Sequence, residues 1–197
     1  MAYNSWKEIP LTEYPVIVFS DHNSDIVNSA IKARTNANYS HVMWMIEPGV
    51  MASQGFMTYA KVPIHKYMNI GNRLKFIGIN GVTAAGRKSI LDSIHAKLNG
   101  PFYRKWYDWV GIFGQLIGVR WIQTPFFDYC SEDQPYHLQK GMKNAPAEFS
   151  IPLTFVINNL PKNGSPGVHD VYSKAHRDVF PLFGKWEGDE DEKFVKS

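Results

Sequence analysis

The chain carries a single cysteine, Cys130, in 197 residues. That excludes an intrachain disulfide framework and a cysteine-based structural zinc site, so the fold must stand on packing, and nothing in it requires an oxidising compartment. Hydrophobic residues make up 44% of the chain and aromatic residues 14%, enough to build one core of ordinary domain size. How that core is assembled has to be read from the order of the apolar runs.

Val16-Ile17-Val18-Phe19 is a short continuous run of β-branched and aromatic residues, the pattern of a buried strand. Ser24 then caps a helix carrying Ile26, Val27, Ala30 and Ile31. Tyr39 to Ile46 is strand-like, Glu47-Pro48-Gly49 is a turn, and Val50 to Phe56 returns as the second strand of a hairpin. A period of two places His41, Met43 and Met45 on one face. Lys61 to Met68 reads as a connector with a helical turn opened by Pro63, and Leu74 to Ile79 as a further strand closed by Asn80-Gly81. Thr83 caps a helix whose Ile90, Leu91, Ile94 and Leu98 form one stripe, stopped by Asn99-Gly100-Pro101. Aromatics crowd Phe102 to Trp109, an apolar helix follows over Val110 to Ile117, and the last apolar segment runs from Ser150 to Leu160. This organisation predicts an irregular N-terminal arm (residues 1–14), one domain (15–186) and an acidic tail (187–197).

The formal net charge of +3 is unevenly spread, because the tail holds five acids and two lysines. Residues 1–186 hold 19 lysines and arginines against 13 acids, which favours an anionic partner. These cations are scattered, with no basic run interleaved with aromatics, so nucleic acid is not the expected partner. The N-terminus lacks the basic start and apolar stretch of a secretion signal, and the longest uncharged runs fall short of the ~20 residues that span a bilayer. The expectation is cytoplasmic synthesis without a transmembrane segment, and no cofactor is called for.

Apolar and aromatic residues lead up to Cys130, and Ser131, Glu132 and Asp133 follow it, as in a helix that opens at or just after the cysteine and runs to about residue 140. Pro135 must sit in its first turn or break it. The free N–H groups and dipole of such a helix favour thiolate, the nucleophilic form. A free cysteine also serves as a small buried hydrophobe, and His41 beside two methionines also suits a core histidine with one hydrogen bond. His137 is too close in sequence to Cys130 to act as its base and is expected on another side of the helix.

The order Tyr39-Ser40-His41-Val42, a returning strand of small and polar residues (50–55), Tyr107-Asp108, and then Cys130-Ser131-Glu132, 89 residues after His41, resembles the circularly permuted papain-like hydrolases. These are the YiiX-like branch of the NlpC-like superfamily, related to the lecithin:retinol acyltransferase group. The resemblance covers roughly residues 16–160 and implies an α+β fold, with an antiparallel sheet packed on the helix that carries the cysteine. It implies Cys130 as nucleophile, His41 as base, and a third polar residue on the strand after the hairpin turn. Val50 to Gln54 offers no acid or histidine there. Gln54, whose amide oxygen can accept a ring N–H, is the first choice and Ser53 the alternative, since turn geometry decides which of them faces His41.

The implied activity is hydrolysis of an amide bond, in a peptidoglycan stem peptide or another peptide link, through an acyl-enzyme. One alternative is a lipid-directed thioesterase or acyltransferase of the same fold. The other is a non-catalytic structural or adaptor component of a phage particle, partnered by other virion proteins; a virion-borne wall hydrolase would combine both ideas.

Overall fold

The computed structural model describes residues 2–3, 5–21, 39–55, 57–68, 72–106, 130–150 and 192–193, with backbone only for residues 2, 104, 130–132, 192 and 193. The helix expected after Ser24, the apolar helix expected over Val110 to Ile117, the Tyr107-Asp108 pair and the segment from Ile151 to Leu160 lie outside the described residues.

The fold is α+β, built on an antiparallel sheet and, among the described residues, two α-helices. Its body is five strands: β2 (Val16–Asp21), β3 (His41–Glu47), β4 (Val50–Gln54), β5 (Tyr59–Pro63) and β6 (Arg73–Ile77), in the spatial order β6-β2-β3-β4-β5. The outer edge of β6 is shared by two short strands, β1 (Ala2–Tyr3) beside Phe76 and Ile77, and β7 (Glu192–Lys193) beside Arg73 and Leu74. Pairing from both ends of the chain therefore covers the unpaired backbone of that edge.

Every residue of β2 is buried because both faces of the sheet are covered. On one face Ile17, Phe19, Val42, Trp44 and Ile77 pack against Ile90 and Ile94 of α1 (Ala84–Leu98) and Leu138 and Met142 of α2 (Cys130–Asn144). On the other, Val16, Val18, Met43, Met45, Met51 and Phe76 meet Tyr3, Ile9 and Tyr14, with Ile64 beside them. The segment expected to be an N-terminal arm is thus the lid of the second core. Arg87 of α1 secures it, donating to the backbone carbonyl of Glu13 at 2.6 Å, to its carboxylate at 2.6 Å and to the Ile79 carbonyl at 2.7 Å.

The connector expected from Lys61 to Met68 begins as an edge strand: β5 pairs residue for residue with β4, and the helical turn follows at Ile64–Lys66 with Pro63 as its N-cap. Helix α1 starts where Thr83 places it, its hydroxyl accepting from the Gly86 N–H at 3.3 Å. Helix α2 differs from expectation at Pro135, which lies buried in the second turn with helix on both sides. The helix tolerates the lost backbone donor because tertiary packing supports its inner face. Gly141 lets the helices approach closely: a Cβ there would lie 2.7 Å from Ile90 Cγ1 and 3.2 Å from the Ile90 backbone nitrogen. Among the described residues no helix is long and apolar enough to cross a membrane.

Candidate functional site

His41 is the first residue of β3, half-buried, with its ring on the face of Met43 and Met45. Its Nε2 lies 2.8 Å from Ser53 Oγ on the neighbouring strand. Ser53 Oγ lies in turn 3.0 Å from the Tyr67 hydroxyl, and the Tyr67 ring is stacked on the imidazole with centroids 6.1 Å apart and planes 16° from parallel. Tyr67 sits just after the Ile64–Lys66 turn, its N–H bonded to the Ile64 carbonyl at 2.8 Å and its carbonyl accepting from Asn72 Nδ2 at 3.1 Å.

The histidine meets Ser53 rather than Gln54 because of one residue in the hairpin. Glu47 pairs with Val50, yet Met45 pairs with Met51 and Trp44 with Ala52, so Ile46 is an extra residue on β3. Without that bulge the register would set Gln54 opposite Met43, on the His41 face; with it, Ser53 takes that place. Gln54 turns to the other face, where Nε2 donates to the Lys105 carbonyl at 2.9 Å and Oε1 is buried without a hydrogen-bond partner. It thereby tethers the turn Phe102–Lys105, whose Phe102 and Tyr103, with Trp106 just after it, are exposed.

Cys130 opens α2, as expected, but its side chain lies outside the described residues. The position of its helix end is set by Asp133, one turn further on, which accepts from the Tyr59 hydroxyl at 3.0 Å. Tyr59 begins β5 and pairs with Gln54 at the end of β4. The first turn of α2 is therefore pinned to the end of the sheet where β3 starts, the end that carries His41 and Ser53. The helix packs on the opposite face from the His41 ring, so an approach between the two has to run around that end and not through the sheet.

A second polar cluster, which the sequence reading overlooked, lies between the helices. Asp133 Oδ1 is 3.0 Å from Lys97 Nζ and 3.1 Å from His137 Nε2, and His137 Nδ1 is 2.7 Å from Ser93 Oγ. All four side chains and Tyr59 are buried or nearly so, and Lys97 Nζ also sits 4.5 Å from the centre of the Tyr59 ring. Burial pushes the Asp133 carboxyl up, but Lys97 and His137, by charge and by hydrogen bonding, outweigh it and hold the group at about 2. Asp133 is therefore an anion whose charge Lys97 offsets. The signal in the sequence is two i,i+4 pairs, Ser93/Lys97 and Asp133/His137, with Ser93 and Lys97 sharing the stripe of Ile90 and Ile94. The seven-residue step from Cys130 to His137 is two helical turns, so these positions share one side of α2, contrary to expectation. They are about 10 Å apart along the axis, too far for His137 to serve as base.

Among the described residues no three histidine, cysteine or carboxylate side chains converge as metal ligands would. Compared with known proteins, the chain matches no family model, no curated protein sequence and no solved structure.

Proposed function

We propose that the chain is a cysteine hydrolase of permuted papain-like architecture, in which Cys130 is the nucleophile, His41 the base and Ser53 the residue that orients the imidazole. The observation that carries this reading is the His41–Ser53–Tyr67 chain, held half-buried at the end of the sheet to which the first turn of the cysteine helix is pinned. In the tautomer whose Nε2–H donates to Ser53 Oγ, Nδ1 is the nitrogen that takes the thiol proton. The thiolate then adds to the substrate carbonyl, and backbone N–H groups at the start of α2 receive the oxyanion. Collapse expels the amine, which leaves with the proton from the imidazolium, and water releases the acyl group in the reverse sequence. The bond is an amide, in a peptidoglycan stem peptide or another peptide link.

The exposed Phe102, Tyr103 and Trp106 favour a second substrate class for the same chemistry, a lipid ester or thioester whose chain lies on aromatic surface. Iodoacetamide labelling of the native protein at pH 6 tests the nucleophile, because an ordinary thiol of pKa ~8.5 is almost wholly protonated there. Labelling faster than in a free peptide is expected; equal rates refute the reading. Peptidoglycan clearing and acyl-ester release, each beside Cys130→Ala, then assign the substrate. Identical behaviour of the variant in both assays points instead to a structural component of a phage particle.

A further inference from the structure

We propose that the outer edge of β5 docks the peptide substrate as an added antiparallel strand, on the acyl side of the scissile bond; the identity of the bound chain rests on the hydrolase reading above. Among the described strands, β5 is the last on its side of the sheet. Its hydrogen bonds to β4 alternate along the strand. The Gly55 N–H donates to the Thr58 carbonyl at 3.1 Å and the Ile64 N–H to the Gly49 carbonyl at 2.9 Å, in the same register that pairs Ala60 with Ser53 and Val62 with Met51. The backbone of Lys61, between Ala60 and Val62, therefore points away from the sheet. Lys61 is exposed, and among the described residues no hydrogen bond reaches its outward N–H and C=O. Pro63 ends the edge, since it has no N–H to offer.

The direction and the charge of this edge select its occupant. A chain antiparallel to β5 runs towards Tyr59, whose hydroxyl is 3.0 Å from Asp133 in the first turn of α2, so its carboxyl-terminal end is led to the helix that carries Cys130. That is the polarity an acyl-enzyme needs. A second copy of β5 fits poorly, because the two-fold axis that pairs the edges sets Lys61 opposite Lys61 and Pro63 opposite Tyr59, facing like charges and forfeiting a donor. In an added peptide, the residue opposite Lys61 exchanges both backbone hydrogen bonds with it. An acid at that place meets the Lys61 ammonium, whose contact with Glu47, at 3.8 Å between two exposed side chains, is weak. The residues on either side lie on the opposite face, beside the half-buried Ala60 and Val62, and are apolar. The substrate is thus an extended chain of L-residues with an acid between apolar neighbours, which a wall stem peptide of alternating L- and D-residues does not present.

The test uses full-length protein carrying Cys130→Ala, so that no peptide is turned over, with the blocked all-L peptide Thr-Val-Glu-Val-Thr at millimolar concentration; amide hydrogen exchange is read by NMR. Without peptide, the Lys61 amide is expected to exchange faster than those of Ala60 and Val62, which face β4. Saturating peptide is expected to slow Lys61 about tenfold, the scale of one hydrogen bond, and to leave the other two unchanged. N-methylating the peptide's glutamate, or replacing it by its D-form, should weaken binding about tenfold, and neither change touches the protein's own folding. Lysine in place of that glutamate should weaken it about threefold, a preference that Lys61→Glu reverses. No slowing at Lys61, equal protection by the N-methyl or D-form peptide, or a preference that Lys61→Glu leaves unchanged overturns the inference. So does slowing that grows with protein concentration alone, the mark of a second copy on the edge. Iodoacetamide labelling of the wild type decides the hydrolase separately. A fast thiol without protection of Lys61 leaves the hydrolase standing and removes the docking edge, whereas protection beside an ordinary thiol keeps the edge and refutes the hydrolase.

Discussion

Replacing Asp133 by Asn removes a buried charge while keeping shape, and the geometry fixes both the size and the pH dependence of the effect. Lys97 Nζ, 3.0 Å away on a side chain only 7% exposed, is left facing a neutral amide. At that separation the lost attraction is about 5.5 kcal/mol with an effective dielectric constant of about 20, and an ammonium that swings towards water regains part of it. A loss near 3 kcal/mol at pH 7 is expected, at the low end for a broken buried pair. The wild-type carboxyl sits at about 2 against an ordinary 3.8. A group lowered in this way contributes its stability fully above the ordinary value and loses it as the pH falls through 2. The whole contribution is about 2 kcal/mol, of which about 1 kcal/mol is gone by pH 3. Asparagine does not titrate, so the gap between wild type and Asp133→Asn should shrink to about 2 kcal/mol at pH 3. Urea titrations followed by tryptophan fluorescence at the two pH values measure it. Adding Lys97→Met should recover most of the loss, since no charge is then unpaired. A gap below ~1 kcal/mol at pH 7, or one that does not narrow in acid, refutes this account of the cluster.

Three further outcomes follow from local geometry. Gly141→Ala forces a methyl to 2.7 Å from Ile90 and should cost about 1–3 kcal/mol, measured by urea unfolding. Thr83→Ala removes the N-cap of α1 together with the Thr83–Glu148 hydrogen bond and should cost about 1 kcal/mol in the same assay. Ser53→Ala should slow alkylation of Cys130 at pH 6 about five- to tenfold by releasing the His41 ring, whereas Gln54→Ala should leave that rate within about twofold, because Gln54 points away from the His41 face and leaves the His41–Ser53 contact in place. A Gln54 variant slower than the Ser53 variant would reverse the assignment.

What was legible in the sequence is what depends on one residue and its near neighbours. Thr83 caps its helix wherever the chain goes, and the all-apolar run of β2 states that both its faces are covered, although not by what. The choice between Ser53 and Gln54 is different in kind. It turns on whether a hairpin with a tight Pro48-Gly49 turn pairs regularly or holds one extra residue, and Ile46 looks no different from a residue in a regular strand. The bulge is explained only by packing on both faces at once: it leaves Met51 among Met43, Met45 and Ile64 while Ala52 faces Trp44 and Tyr59. A regular hairpin would exchange the two, setting a methionine where the sheet meets the helices and an alanine where the second core needs bulk. The residue that touches His41 is thus selected by the fit of side chains two and three positions away, and a reading of one strand at a time has no access to that fit. The same limit hid the Asp133 cluster, since its i,i+4 pairs are each ordinary on one helix and gain meaning only when α1 and α2 bring them together.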